Sequence, residues 1–186
     1  MDILVIIDMQ NDFINGTLGT KEAEAIVPKV INRVKAARIL DELIIYTQDT
    51  HDKDYLDTQE GEKLPVLHCQ RCEDGWKVPD TLEKFINMGP FMRIEKSTFG
   101  TFAIKNAIET MQKEMNYKID NIEVCGLCTD ICVVTNALIL KTAFPEVPIT
   151  VCEELCAGVT HEKHQAALEV MRSCQINVIS RENEEN

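Results

Sequence analysis

The chain has 186 residues and a formal net charge of −12 at neutral pH. This length is enough for one α/β domain with a sizeable core and too short for two ordinary domains. The acidic excess argues against nucleic acid or an anionic membrane surface as a partner. No apolar run reaches the length of a membrane span, and no export signal precedes the first predicted strand. We therefore expect a cytoplasmic protein whose eight cysteines are mostly reduced.

Short apolar runs alternate with segments of helical spacing along the chain. Strands are predicted at residues 2–8, 43–47, 91–94, 122–125, 148–152 and 176–179. Helices are predicted at residues 22–40, 81–87, 102–115, from 129 or 130 onward, and at 160–173. This order predicts a single-domain α/β fold over residues 1–180, with a doubly wound, mainly parallel six-stranded sheet and helices on both faces. A charged tail follows at 181–186.

Residues 52–79 form a polar, turn-rich segment with no helical or strand period. A loop of this length inside a compact domain is usually functional. We expect it to contribute to substrate specificity.

Chemically active side chains follow four consecutive predicted strands. Asp8 follows the first, Asp49 and His51 follow the second, Lys96 follows the third, and Cys132 follows the fourth. Ligands of parallel sheets bind just beyond the carboxyl ends of the strands. We therefore expect these side chains to share one pocket.

Cys132 lies about one turn into the helix that follows the fourth strand. A helix N-terminus carries roughly half a positive charge, which favours a thiolate, and its free N–H groups can hold an oxyanion. Asp8 can accept the thiol proton and later protonate a leaving amine, while Lys96 stabilises the thiolate. This combination predicts hydrolysis of an amide-type bond through a thioester. Taken singly, Cys132 reads equally as a buried apolar residue, Asp8 as a cap and Lys96 as a surface charge.

Asp49, His51 and His68 form a candidate metal set. Two imidazoles and a carboxylate suit zinc, iron or manganese, with water completing the shell. The Asp-x-His spacing is common, and His68 alternatively caps a turn after Pro65. No organic cofactor is predicted.

The segments Asp8-Met-Gln-Asn-Asp-Phe13 and Gly126-Leu-Cys-Thr-Asp-Ile-Cys-Val133 resemble those of the isochorismatase-like cysteine hydrolases, which include nicotinamidases. The resemblance covers nearly the whole chain. It implies a Cys132, Asp8 and Lys96 triad and a cis peptide at Leu127–Cys128 that shapes the oxyanion site. It also implies a small-molecule substrate and a homo-oligomer, either a dimer or a tetramer.

The resemblance also places the nicotinamidase metal on Asp49, His51 and His68, but the chain departs from that pattern nearby. Thr50 stands where nicotinamidases usually carry a bulky aromatic residue. The loop lacks a further histidine common in that family, and its remaining polar or aromatic candidates are Asp52, Asp54, Tyr55 and Asp57. Isochorismatases proper cleave a vinyl ether without a cysteine, so the presence of Cys132 favours amide hydrolysis. The alternative substrate is another small carbamoyl or ureido compound.

Four aromatic residues are predicted to line the substrate pocket, although at this spacing they could equally be core. They are Phe13, Phe99, Phe102 and Trp76.

A rival interpretation from another class of protein rests on two Cys-x-x-Cys pairs. These pairs predict a structural zinc module with the ligands Cys69, Cys72, Cys125 and Cys128.

Overall fold

The computed structural model describes residues 1–181, and the elements follow the predicted α/β order. The strands are β1 (Asp2–Ile7), β2 (Leu43–Asp49), β3 (Phe91–Lys96), β4 (Asn121–Leu127), β5 (Ile149–Ala157) and β6 (Asn177–Ile179). The helices are α1 (Asn11–Ile14), α2 (Lys21–Ile39), α3 (Gln59–Lys63), α4 (Asp80–Ile86), α5 (Phe102–Met115), α6 (Val134–Ala143) and α7 (His161–Ser173). Residues 182–186 of the predicted tail lie outside the described residues, and the boundary at residue 180 stays a prediction. None of the described helices is long and apolar enough to cross a membrane.

The six strands form one parallel sheet in the order β3-β2-β1-β4-β5-β6. This topology confirms the predicted doubly wound fold. The central strands β1 and β4 are buried along almost their whole length, as their continuous apolar runs require. Because the chain leaves β1 toward β2 and later returns beside β1 as β4, the sheet has its topological switch point between them.

Gly126 marks the closest approach between β4 and β1. Its φ of +118° lies in the region that favours glycine, and an added Cβ would lie 2.1 Å from the carbonyl oxygen of Ile7. The β4–β5 register shifts between Val124 and Gly126. A residue without a side chain therefore lets the end of β4 pass close to the end of β1, directly below the site.

The segment predicted as an irregular loop at 52–79 contains short helical pieces at Tyr55–Asp57, Gln59–Lys63 and Asp74–Trp76. Local side-chain hydrogen bonds stabilise these pieces. For example, the Thr58 hydroxyl accepts from the N–H of Gly61. Sequence periodicity did not reveal elements this short. A parallel bridge between His51 and Gln70 joins the segment to the end of β2.

The helix after β4 begins differently from the prediction, because Thr129–Val133 is one π-helical turn that continues into α6. Neither Thr129 nor Asp130 is the cap; Cys128 occupies the N-cap position without a side-chain hydrogen bond. The Thr129 hydroxyl instead bonds Nδ1 of His164 at 2.8 Å. The Asp130 carboxylate accepts from the N–H of Val159 at 2.9 Å. Tertiary contacts to the start of α7 thus replace the expected cap.

Candidate active site

Asp8 and Cys132 lie on the two sides of the switch point, just beyond β1 and β4. The Asp8 backbone has a φ of 47°, in the left-handed region, which a hydrogen bond from its N–H to the Thr47 hydroxyl at 3.1 Å supports. Both side chains are buried, and Cys132 is 6% exposed. Cys132 nevertheless lines a cavity.

Lys96, at the end of β3, joins these two groups. Its Nζ lies 2.7 Å from Oδ2 of Asp8 and 3.5 Å from Sγ of Cys132. The Asp8 carboxylate also accepts from the Thr47 hydroxyl at 2.6 Å. The three predicted catalytic residues, from distant parts of the chain, therefore form one contacting cluster.

Burial controls the protonation states in this cluster. It raises the pKa of the Cys132 thiol well above its usual value, and the Asp8 carboxylate raises it further while Lys96 opposes both. Burial also raises the pKa of Asp8, against the nearby Lys96 ammonium. Burial lowers the pKa of Lys96, but the anionic neighbours led by Asp8 outweigh it and raise that pKa overall. The raised pKa favours the thiol, whereas the helix start alone favours the thiolate, so proton transfer to Asp8 is needed to form the nucleophile.

The peptide bond Leu127–Cys128 is cis, at the position that the resemblance implied. The Cys128 carbonyl accepts from the N–H groups of Ile131 and Val133 at 3.1 Å each. These bonds hold the turn that carries Cys132. The first N–H groups of a helix lack intrahelical acceptors, so this turn is suited to bind a developing oxyanion.

Asp49, His51 and His68 form a second buried cluster beside the first. Their ligand atoms all lie within 4.8 Å of one another. The Asp49 Oδ2 atom is 3.0 Å from Nε2 of His51 and 3.6 Å from Nε2 of His68. The other ring nitrogen of His68, Nδ1, lies 2.8 Å from the carbonyl oxygen of Val66, to which it donates when protonated. That bond leaves Nε2 of His68 directed at the cluster, the usual second contact of a metal-binding histidine.

The charges of the two clusters fit a bound cation. Burial alone would raise the pKa of Asp49, but hydrogen bonds from His51 and His68, together with Lys96 at 3.3 Å, hold it below its usual range. Two buried carboxylates therefore share the single ammonium of Lys96. A buried excess of negative charge is costly unless a further positive charge lies close. The nitrogen and oxygen donors match the preferences of zinc, iron or manganese.

A cavity of about 300 Å³ opens onto both clusters. Its walls are mainly apolar and include Phe13 and Phe99, both predicted pocket residues. Polar and thiol groups also line it, from Cys128, Cys132, Asp49, Glu60 and His68. Few polar groups converge in an otherwise apolar space of this size, as in many sites for small ligands.

A model of the isochorismatase domain matches residues 2–183. The chain belongs to the isochorismatase family. It is 26% identical over 205 residues to a nicotinamidase from Schizosaccharomyces pombe, covering 95% of this chain and 92% of that protein. Its fold also matches a pyrazinamidase of Pyrococcus horikoshii solved in complex with zinc, with a TM-score of 0.79 and 22% identity over 96% of this chain and 98% of that one. The fold also matches an N-carbamoylsarcosine amidase from Thermoplasma acidophilum, with a TM-score of 0.77 and 24% identity over 96% of this chain and 95% of that one.

In this family member, two of the four predicted pocket aromatics lie elsewhere. The Trp76 indole N–H donates to the Thr50 hydroxyl at 2.8 Å, and the Trp76 carbonyl accepts from the Gln10 side chain. Trp76 therefore packs behind the end of β2. Phe102, at the start of α5, is 70% exposed and borders a separate groove with Leu138. Both placements correct the prediction, which used proximity in sequence to the strand ends without knowing the loop path.

Four supporting polar residues of this isochorismatase-family site were not predicted. They are Thr47, Gln10, Glu60 and Asn136. The side chain of Gln10 accepts from the N–H of Asp49 at 2.7 Å and donates to the Asp49 carbonyl at 2.8 Å, which joins the ends of β1 and β2. Asn136 accepts from the N–H of Thr101 at 3.0 Å and donates to the Cys132 carbonyl at 2.8 Å. Gln10 lies within the Asp8–Phe13 segment that carried the resemblance, so only its role was missed.

Glu60, from α3, lies beside the cluster of Asp49, His51 and His68. Its Oε1 lies 4.0 Å from Nε2 of His51, and its side chain lines the cavity. Of the candidates expected there, Tyr55 packs against His51 with ring centroids 4.5 Å apart. Glu60 falls outside the positions considered from the sequence because α3 turns the chain back toward the site.

The four-cysteine zinc module is wrong as a description of residues 1–181. In that range, Asp49, His51 and His68 form the one group of at least three potential ligands within 4.8 Å of one another. Cys125 is buried inside β4, and Cys72 is exposed on the segment after His68. Two Cys-x-x-Cys motifs therefore exist in the sequence without meeting in space.

Proposed function

We propose that this isochorismatase-family hydrolase cleaves a small amide of the nicotinamide type through a thioester on Cys132. One observation carries the proposal: Lys96 contacts both Asp8 and Cys132, at 2.7 and 3.5 Å, beside a cavity that the thiol lines. The identity to a nicotinamidase over most of the chain supports the same substrate class.

In the first half-reaction, Asp8 takes the proton of the Cys132 thiol as sulfur attacks the carbonyl carbon. Its raised pKa makes Asp8 a stronger base than an ordinary carboxylate. Lys96 remains charged and offsets the negative charge that moves from Asp8 to sulfur and then to the carbonyl oxygen. N–H groups of the turn at Thr129–Val133 hold that oxyanion.

Collapse of the tetrahedral species breaks the C–N bond and leaves an acyl thioester. The proton held by Asp8 passes to the departing nitrogen, which leaves as ammonia or an amine. Asp8 then takes a proton from water, whose oxygen attacks the thioester carbon. Return of the proton to sulfur releases a carboxylic acid and regenerates the thiol.

Asp49, His51 and His68 would hold a divalent metal next to this centre. Such a metal, when bound, supplies a Lewis-acidic point that binds and orients a nitrogen or oxygen of the substrate. Gln10 and the Nδ1 contact of His68 fix two of the three ligands in position. The pyrazinamidase of Pyrococcus horikoshii, solved in complex with zinc, supports the presence of a divalent metal.

The cavity limits the size of the substrate. At about 300 Å³ it lies at the small end of the range for ligand sites, and the rings of Phe13 and Phe99 line it. A planar aromatic amide fits these walls. A carbamoyl or ureido compound presents the same carbonyl to Cys132 and differs only in the leaving group and the apolar body.

Ammonia release over a panel of small amides, nicotinamide and ureido compounds tests the proposal. We expect turnover of an aromatic amide, and we expect hydroxylamine to intercept the thioester as a hydroxamate. The Cys132→Ala variant should give neither product, while Cys174→Ser, which changes an exposed thiol, should match the parent protein. Turnover that survives Cys132→Ala, or a panel without any turnover, would refute the assignment.

A further inference from the structure

The strand β3, which ends in the Lys96 position, lies at one edge of the sheet and has neighbours on one side only. Its side chains are largely uncovered, since Phe91, Arg93 and Glu95 are exposed and Met92 and Ile94 are half-buried. Exposed edges of this kind present backbone groups that can pair with another strand.

The outward-facing backbone groups of β3 can be identified from the register. The Lys96 carbonyl accepts from the N–H of Thr50, so Lys96 directs its backbone groups toward β2. Residues 92 and 94 do the same because the pattern alternates. Phe91, Arg93 and Glu95 therefore direct their N–H and C=O groups away from the sheet. Within residues 1–181 these groups have no hydrogen-bond partner in the structure.

Only one central register for antiparallel pairing of two β3 strands places unlike charges opposite each other. Only residues whose backbone groups face outward can pair across the dimer, so residues 91, 93 and 95 must face residues with the same orientation in the second copy. Centring on residue 93 places Arg93 opposite a second Arg93, and centring on residue 95 places Glu95 opposite a second Glu95. Centring on residue 94 places Arg93 opposite Glu95 twice, once on each side of a two-fold axis. Opposite charges in directly facing positions stabilise a strand pair, and like charges destabilise it.

We propose that two copies of this chain dimerise through antiparallel pairing of their β3 strands, centred on Ile94. The arrangement is isologous, as expected for a two-fold dimer, and joins two six-stranded sheets into one. Arg93 and Glu95 exchange backbone hydrogen bonds with their counterparts and form two ion pairs between copies. Phe91, at the start of the strand, is 41% exposed.

Within each copy, Arg93 and Glu95 contact each other and neighbouring side chains. Arg93 lies over the ring of Trp76, 5.7 Å from its centroid, and 3.6 Å from Glu95. Glu95 also contacts Arg71 of the same copy. Since Arg71 lies outside β3, it provides a matched control: its loss changes the charge around Glu95 but leaves the facing residues intact.

Sedimentation equilibrium over a range of protein concentrations tests the pairing. The parent protein should be a dimer, and Arg93→Glu and Glu95→Arg should each raise the dissociation constant about tenfold or more, because each places like charges opposite each other twice. An equimolar mixture of the two variants should form heterodimers, since the variant faces are complementary. The double variant Arg93→Glu/Glu95→Arg and the Arg71→Gln control should both dimerise.

A parent protein that stays monomeric at all concentrations would overturn the inference. Single variants that dimerise as tightly as the parent would show that a different surface is used. A mixture that stays monomeric, with both variants folded by circular dichroism, would also reject the register. If one single variant does not fold, the other single variant and the double variant provide the same contrast.

Discussion

Asp8 and Asp49 are two buried carboxylates that share the ammonium of Lys96, yet the protein shifts their pKa values in opposite directions. Burial dominates for Asp8 and raises its pKa despite Lys96 at 2.7 Å. For Asp49, hydrogen bonds from His51 and His68 overcome the same effect of burial and lower the pKa. Asp49 has two imidazole donors that Asp8 lacks, and donors of this kind favour the ionised carboxylate.

This difference assigns the two carboxylates to different tasks. A group whose pKa is raised toward neutrality can gain and lose a proton during a reaction, so Asp8 suits general acid–base chemistry. A carboxylate held ionised at all ordinary pH values suits permanent binding of a cation, so Asp49 suits a metal ligand. Lys96 contacts both and keeps both negative charges stable in one buried region.

The largest expected effect comes from removing the proton-transfer pair. Cys132→Ala and Asp8→Asn should each lower kcat/KM by at least about a thousandfold. The first variant lacks the nucleophilic sulfur, and the second lacks the carboxylate that accepts its proton. The double variant should be little worse than either single one, since the two residues act as a unit. Steady-state ammonia release measures all three. An Asp8→Asn variant within tenfold of the parent would remove Asp8 from the mechanism.

The second effect separates the two aspartates by metal content. Asp49→Asn should lose the bound metal and about 10- to 100-fold in kcat/KM, because it removes the anion between the two imidazoles. Asp8→Asn should keep the metal while losing activity. Elemental analysis of the purified variants, with activity measured before and after chelation, checks both statements. Equal metal content in the parent and Asp49→Asn would contradict the division of tasks.

The sequence predicted the strand-end residues well because their positions depend only on strand order and direction. Asp8 and Cys132 follow β1 and β4, Asp49 and Lys96 end β2 and β3, and any parallel sheet with this connectivity brings them to one edge. The opposite pKa shifts were not predictable, since they depend on donors such as Thr47 that lie in mid-sequence strands without a distinguishing pattern. Trp76 and Glu60 were misplaced or missed because both lie in segment 52–79, whose path is set by side-chain bonds between distant residues.

The third expected effect is an acid limb in the pH profile of kcat/KM that belongs to Asp8. Activity requires the ionised carboxylate, so kcat/KM should fall about tenfold per pH unit below the pKa of Asp8. An ordinary aspartate has a pKa of about 3.9. Because the pKa of Asp8 is raised, the limb should lie at a higher pH than that value. Asp49 should add no second limb there, since its pKa is lowered. A limb at or below the ordinary aspartate value would show that Asp8 is not the titrating base.

The smallest effect sharpens the same contrast through one hydroxyl. Thr47 donates to Oδ1 of Asp8 at 2.6 Å, and this bond lowers the pKa of Asp8 because it favours the ionised form. Thr47→Val keeps the side-chain shape and removes this bond together with the one that the hydroxyl accepts from the N–H of Asp8. The acid limb should move to higher pH while kcat/KM at neutral pH falls about fivefold, or about 1 kcal/mol. Thr47→Ser keeps the donor and should leave the limb in place. A Thr47→Val limb that stays fixed or moves to lower pH would mean that Asp8 does not control the profile, because loss of this donor can only favour the protonated carboxyl.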